Sequence, residues 1–235
     1  MPTVFITGAN RGLGLEFSRQ YANDGWEVIA SCRNPEAAQE LKSLQGNVKV
    51  CQMDITDQKQ IKKVSLEYRN HAIDVLINNA AEHGPYDNSA SFGDIDANEW
   101  LKVFLSNSIS PLKVAEAFLE NVKRSAQKKI AFISSRAGSI SERGKLPHHQ
   151  HGGSYIYRSS KAALNAATQS LAFDLEPQKI CVIVLHPGFV RTGMSEDDAE
   201  LDASISIAGM RKLISESTPK DNGLFRTYEG ELISW

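Results

Sequence analysis

Tyr157 and Lys161 stand four positions apart in a stretch of helical periodicity, which puts a phenol and an ammonium on one helix face, about 5–6 Å apart at Cβ. A free phenol titrates near pH 10, too high to exchange protons readily at neutral pH. A cation beside it favours the phenolate and brings it toward the range where general acid–base catalysis works. Ser135, at the end of the apolar run Ile130-Ala131-Phe132-Ile133, can hydrogen-bond and position a carbonyl oxygen. The chemistry these residues suggest is proton transfer at an oxygen. A Tyr and a Lys at this spacing also recur on solvent-facing helices, so the pair takes its meaning from a second motif.

That motif is Thr7-Gly8-Ala9-Asn10-Arg11-Gly12-Leu13-Gly14, which joins the apolar run Val4-Phe5-Ile6 to the helical spacing of Leu15, Phe17, Tyr21 and Ala22. Glycines at such a junction permit a tight turn and let backbone N–H groups and a helix N-terminus approach a pyrophosphate. The ligand implied is a dinucleotide. The spacing is G-x-x-x-G-x-G rather than G-x-G-x-x-G.

The elements that must position these residues follow in order. Strands are predicted at Trp26–Ser31, Val48–Met53, Val75–Ile77, Ile130–Ile133 and Ile180–Leu185, with helices at Pro35–Leu44, Asp57–Asn70, about Ala97–Ala126 and Tyr155–Leu175. A further helix near Ile205–Ser215 and a closing strand and turn within Gly223–Leu232 complete the pattern. Strand–helix alternation implies right-handed crossovers. The expected architecture is therefore an α/β single-domain Rossmann fold: a doubly wound, seven-stranded parallel sheet with helices on both faces. Ligands of such sheets lie beyond the carboxyl ends of the strands, so residues just after each strand are candidates. Those ends carry Arg33, Asp54-Ile55, Asn78-Asn79-Ala80-Ala81, Ser134-Ser135 and Pro187-Gly188.

The 235 residues show no Pro/Gly/Ser-rich linker, so one domain is expected over 1–235, with an extended loop at about 139–154 and a substrate flap at about 191–217. Hydrophobic residues make up 41% and the formal charge is −2, which gives no electrostatic case for nucleic acid or an anionic membrane. Three cysteines, without a C-x-x-C pair, read as reduced thiols of a cytosolic protein. A first strand starting almost at Met1 leaves no room for a signal peptide, and no apolar run approaches a membrane span. A cytoplasmic location is expected.

Taken together, T-G-x-x-x-G-x-G at Thr7–Gly14, Asn78-Asn79-Ala80-Ala81, the strand-end Ser135 and Y-x-x-x-K at Tyr157–Lys161 resemble the short-chain dehydrogenase/reductase family over nearly the whole chain. Asp54 and Ile55 match its adenine-contacting pair and Asn79-Ala80 the loop beside it. Asn107 matches its helix asparagine. The resemblance implies that Tyr157 is the acid/base, that Lys161 lowers its pKa and holds the nicotinamide ribose, that Ser135 orients substrate and that Asn107 supports a proton-relay water. It implies cofactor contacts from Gly8, Asn10, Arg11, Gly12, Leu13, Gly14, Arg33, Asp54, Ile55, Asn79, Ala80, Ala81, Tyr157, Lys161, Pro187, Gly188, Val190 and Thr192, and pairing into a homodimer. The segments Cys32-Arg33-Asn34, Ser160–Thr168 and Leu185-His186-Pro187-Gly188 and the ending in Trp235 are similar to sniffer-type carbonyl reductases and C-factor-like bacterial proteins. Relatives of the latter are associated with developmental signalling, so a dinucleotide-binding signalling protein stands beside the enzyme as an alternative.

Two features depart from the family pattern. Ala81 stands where glycine is usual, tolerable only if φ there is not positive. Tyr157 stands 22 positions after Ser135, a longer connection than the family's commonest members have, which is expected to loop over the site. It contains His148, His149 and His151, read as solvated loop residues rather than metal ligands, and no metal is expected. Tyr155, six positions from Lys161, turns to another helix face and leaves Tyr157 as the acid/base.

An NAD site places an acid about 20 residues past the glycine turn to accept hydrogen bonds from the ribose hydroxyls. Here the second strand ends in Arg33, and Arg11 lies inside the turn; two guanidiniums can flank a 2′-phosphate. NADP(H) is therefore expected rather than NAD(H). Hydride is expected to pass between the cofactor and a small carbonyl or alcohol, with the carbonyl reduced in the cell. In the flap, Met194, Leu201, Ile205, Ile207, Met210 and Leu213 either line a greasy substrate site or pack the flap on the body. For self-association the candidate residues are Leu112, Ala115, Phe118, Leu119, Leu164, Ala167 and Leu171, more apolar positions than one buried stripe needs.

Overall fold

Seven short runs rich in β-branched and aromatic residues become strands in the computed structural model, which describes residues 1–85, 92–145, 153–192, 199 and 201–235. They are β1 (Thr3–Thr7), β2 (Glu27–Cys32), β3 (Asn47–Gln52), β4 (Val75–Asn78), β5 (Lys129–Ile133), β6 (Cys181–His186) and β7 (Phe225–Thr227). Every pairing is parallel and the order is β3-β2-β1-β4-β5-β6-β7. The expected doubly wound, seven-stranded sheet is the observed one. β1, β4 and β5 are buried throughout because helices cover both faces, whereas β3, at the edge, alternates exposed and half-buried residues.

The period-two alternation of β1 divides the core. Val4 and Ile6 face one side, packed with Leu15, Phe17 and Tyr21 of α1 (Gly12–Asn23) and Ile207, Met210 and Ile214 of α8 (Ala203–Glu216). Phe5 faces the other, among Val64 of α3 (Gln58–Glu67), Val114 of α5 (Ser110–Ala117) and Leu164 of α7 (Tyr155–Leu175). Two short helices, α2 (Gln39–Lys42) and α6 (Leu119–Lys123), and α4 (Ala97–Phe104) complete the set. The strand order reverses between β1 and β4, which opens a crevice at their carboxyl ends.

The single long helix expected over Ala97–Ala126 is not formed. α4 runs into a π-helical turn at Leu105–Ile109, α5 follows, and Phe118, with φ −101° and ψ 7°, separates it from α6. Pro111 supplies the reason: it donates no N–H, and its ring would press on the carbonyl of Asn107 in a regular helix, so the extra residue of a π turn relieves the clash. Asn107 sits in that turn.

The described part of the flap packs on the body. Ile207 and Met210 are buried against α1, and none of the described residues from 199 to 217 lines the crevice. Met194 and the histidines 148, 149 and 151 lie outside the described residues. Between Ser139 and Lys145 the loop is tied to the chain's end, where Ser141 N–H donates to the Trp235 carbonyl at 3.1 Å. The helix residues put forward for self-association are largely spent within the chain, with Ala115, Phe118 and Leu164 fully buried in its core.

Candidate active site

At the β1–α1 junction Thr7 holds two loops together: its Oγ1 accepts the N–H of Asn79 at 3.0 Å and of Ala80 at 3.1 Å. The Asn79 amide in turn donates to the carbonyls of Thr7 at 3.0 Å and Gly8 at 3.2 Å. Gly8 and Gly12 have φ of +66° and +54°, which other residues rarely adopt. Gly14 is required for a different reason. A Cβ there would stand 2.7 Å from Asn79 Nδ2 and inside the radius of the Gly8 carbonyl oxygen. α1 begins with neither a side-chain cap nor an acid in its first turn, so its orphan N–H groups and positive dipole end face the crevice without an acid of their own turn to satisfy them. That is a cradle for a phosphate, and the residues present fit a dinucleotide.

The crevice has a volume of about 730 Å³. Gly8, Asn10, Arg11, Gly12 and Leu13 line one end with Arg33, Asp54, Ile55, Asn79, Ala80 and Ala81. Ala81 does not have positive φ, so the departure from glycine puts no strain on the loop. Asp54 is turned onto Thr56, whose N–H and Oγ1 donate to its Oδ1 at 2.9 and 2.7 Å. Arg33 is 68% exposed, and its Nη1 stands 3.5 Å from Glu82 Oε1.

At the other end the same crevice is lined by Ser135, Tyr157 and Lys161; Pro187, Gly188, Val190 and Thr192 also line it, Thr192 lying against Gly12 of the glycine turn. Lys161 is buried, donates from Nζ to the Ile133 carbonyl at 3.0 Å and lies 5.9 Å from the centre of the Tyr157 ring. Burial pushes its pKa down to about 8, which leaves an ammonium at neutral pH with a proton it parts with more easily than a surface lysine. Ser135 caps the short 3₁₀ turn Arg136–Gly138, its Oγ accepting the Ala137 N–H at 3.1 Å, so its own O–H can donate into the crevice. Tyr155 is half-exposed against Phe92 and does not line it.

Two expected residues stand behind the crevice wall. Gly14 is buried in the turn, and Asn107, fully buried, grips Glu82 by both backbone atoms: Oδ1 accepts its N–H at 2.8 Å and Nδ2 donates to its carbonyl at 2.7 Å. Nδ2 also donates to Ser160 Oγ at 3.0 Å.

Several lining residues were not singled out by sequence. Glu82 and His83 continue the β4 end, where position after a strand was the available signal; His83 stacks on Tyr157 with ring centres 4.8 Å apart. Arg136 and Arg158, neighbours of Ser135 and Tyr157, also line the crevice, although no basic residue could be assigned to the substrate from sequence. The cysteines are free thiols; burial raises Cys32 and Cys181 and pushes Cys51 up to about 12, as for inert core groups.

The model of the short chain dehydrogenase family matches residues 2–202. C-signal of Myxococcus xanthus is 37% identical over 163 residues, 69% of this chain and 93% of that protein. Among solved structures, the NADPH-bound carbonyl reductase from chicken fatty liver superposes with a TM-score of 0.88 at 33% identity, covering 100% of this chain and 99% of that one. Carbonyl reductase Sniffer of D. melanogaster gives 0.90 at 33% identity, with 100% of both chains covered.

Proposed function

This chain belongs to the short-chain dehydrogenase family, and we propose that within it the protein is an NADP(H)-dependent carbonyl reductase of small carbonyl compounds. The observation that carries this reading is the placement of Ser135, Tyr157 and Lys161 at one end of the crevice whose other end holds the glycine turn. A dinucleotide bound along it supplies the hydride. In reduction, Ser135 O–H donates to the substrate oxygen and holds it, and Tyr157 O–H gives its proton to that oxygen as negative charge develops. Lys161 stabilises the phenolate left behind and holds the nicotinamide ribose. Asn107 fixes the Glu82 backbone and the β4 loop and carries the proton-relay water that the family's pattern assigns to it. Arg11 and Arg33 bind the 2′-phosphate, a reading supported by the NADPH bound to the chicken enzyme.

A second reading, a dinucleotide-binding signalling protein with little turnover, is favoured by the similarity to C-signal. Oxidation of NADPH against a panel of aldehydes, ketones and quinones separates the two: turnover is expected, and tight NADPH binding with turnover of no member would favour signalling. The protein is proposed to act in the cytoplasm; among the described residues no helix is long and apolar enough to cross a membrane. Pairing into a homodimer is proposed through the helical segments containing Asn107 and Tyr157, where Leu101, before the π turn, and Phe173 on α7 stand 69% and 72% exposed. Sedimentation showing a monomer at high concentration would dispose of it.

A further inference from the structure

Arg158 follows Tyr157 directly on α7 and lines the Ser135 end of the crevice. Its guanidinium is partly withdrawn from water yet has no carboxylate within salt-bridge distance among the described residues; its one hydrogen bond runs from Nη1 to the Ala137 carbonyl at 3.3 Å. By contrast Arg136, which lines the same crevice, lies 3.9 Å from both Glu142 and Glu231, and the Lys161 ammonium donates to the Ile133 carbonyl. Burial lowers the pKa of Arg158, and the positive field of Arg143 lowers it further, so the surroundings add positive charge rather than neutralise it. A half-buried guanidinium with most of its five donors unspent is completed by an anion, and a planar carboxylate matches its fork. The bond to Ala137, two residues past Ser135, places that fork beside the group that positions the carbonyl oxygen.

We propose that Arg158 is a specificity-determining residue that binds a carboxylate on the substrate, so that the preferred substrates are carbonyl compounds bearing a carboxylate. This rests on the carbonyl-reductase reading and narrows its substrate class. No covalent step is added; the carboxylate orients the carbonyl toward Ser135 and Tyr157.

The test compares 4-carboxybenzaldehyde with its methyl ester, two aldehydes differing in charge, as substrates with NADPH for wild type, Arg158→Lys and Arg158→Gln. Wild type is expected to favour the carboxylate in kcat/KM by about tenfold or more, mainly through KM. Arg158→Gln should bring the ratio near one, and Arg158→Lys should keep part of it. A wild-type ratio near one overturns the proposal whether or not the variants fold. So does an Arg158→Gln variant in which both substrates lose equally, since that is what loosening the Ala137 turn alone would do. A second arm needs no turnover: the dissociation constants of benzoate and benzamide for the NADP⁺-loaded protein. Benzoate should weaken about tenfold in Arg158→Gln and benzamide much less. If neither aldehyde is reduced but benzoate still depends on Arg158, the anion site stands and the carbonyl-reductase reading falls. Equal weakening of both probes overturns the anion site.

Discussion

The Lys161 ammonium stands 5.9 Å from the centre of the Tyr157 ring, one helical turn away on α7, and is held there by a hydrogen bond to the Ile133 carbonyl while buried from solvent. Position and burial act oppositely on the lysine, since the first needs the charge and the second opposes it.

The opposition is measurable as stability. Burial holds the folded pKa near 8, below about 10.5 for the unfolded chain. Above pH 10.5 both states are neutral there; between 8 and 10.5 the unfolded chain binds more protons, so stability rises with pH; below 8 the full cost is present, on the order of 3 kcal/mol at most. Cofactor-free Lys161→Met should therefore be more stable than wild type at pH 6–7, by less as pH rises from 8 toward 10.5, while losing turnover. Urea unfolding across this range reads the difference. A variant less stable at every pH, with no narrowing, would contradict it.

Gly14→Ala should lower stability by roughly 1–3 kcal/mol and weaken dinucleotide binding, because the added carbon overlaps the Gly8 carbonyl and displaces the Asn79 amide that ties the two loops. Denaturation midpoints and NADPH titration check both effects. Wild-type values for both would mean that the turn opens without cost.

Arg11→Ala with Arg33→Ala should reduce the kcat/KM preference for NADPH over NADH by a factor equivalent to several kcal/mol, if each charge-assisted contact contributes about 1.5–3. Glu82 does not prevent this, since its 3.5 Å pair with an exposed arginine contributes little and yields to a phosphate. An unchanged ratio, or a wild type preferring NADH, would remove the 2′-phosphate assignment.

How far the sequence reaches is clear from particular residues. The turn at Thr7–Gly14 and the strand ends at Arg33, Asn79 and Ser135 were legible because strand, turn and helix signals are local, and the parallel sheet then brings strand ends together by topology. Helical spacing put Tyr157 and Lys161 on one face, and the glycine turn gave the pair its meaning. The break at Asn107 has a local signal in Pro111, which the expectation of one long helix over Ala97–Ala126 did not take into account. Glu82, His83 and Arg158 were missed because side-chain facing across elements sets their role. For the same reason Ile207 and Met210, apolar at helical spacing, could not be told apart as cleft or core until α8 was seen packed on α1. Phe118 and Leu164 suggested a partner surface by count, but the sheet itself takes them up.

The most direct measurement is the steady-state rate of carbonyl reduction by Tyr157→Phe with NADPH, alongside its NADPH dissociation constant. The phenyl ring keeps the stack on His83 and removes only the proton donor. The expected result is a fall in kcat of about a hundred- to ten-thousand-fold with NADPH still bound; a variant that retains near-wild-type kcat would contradict the mechanism.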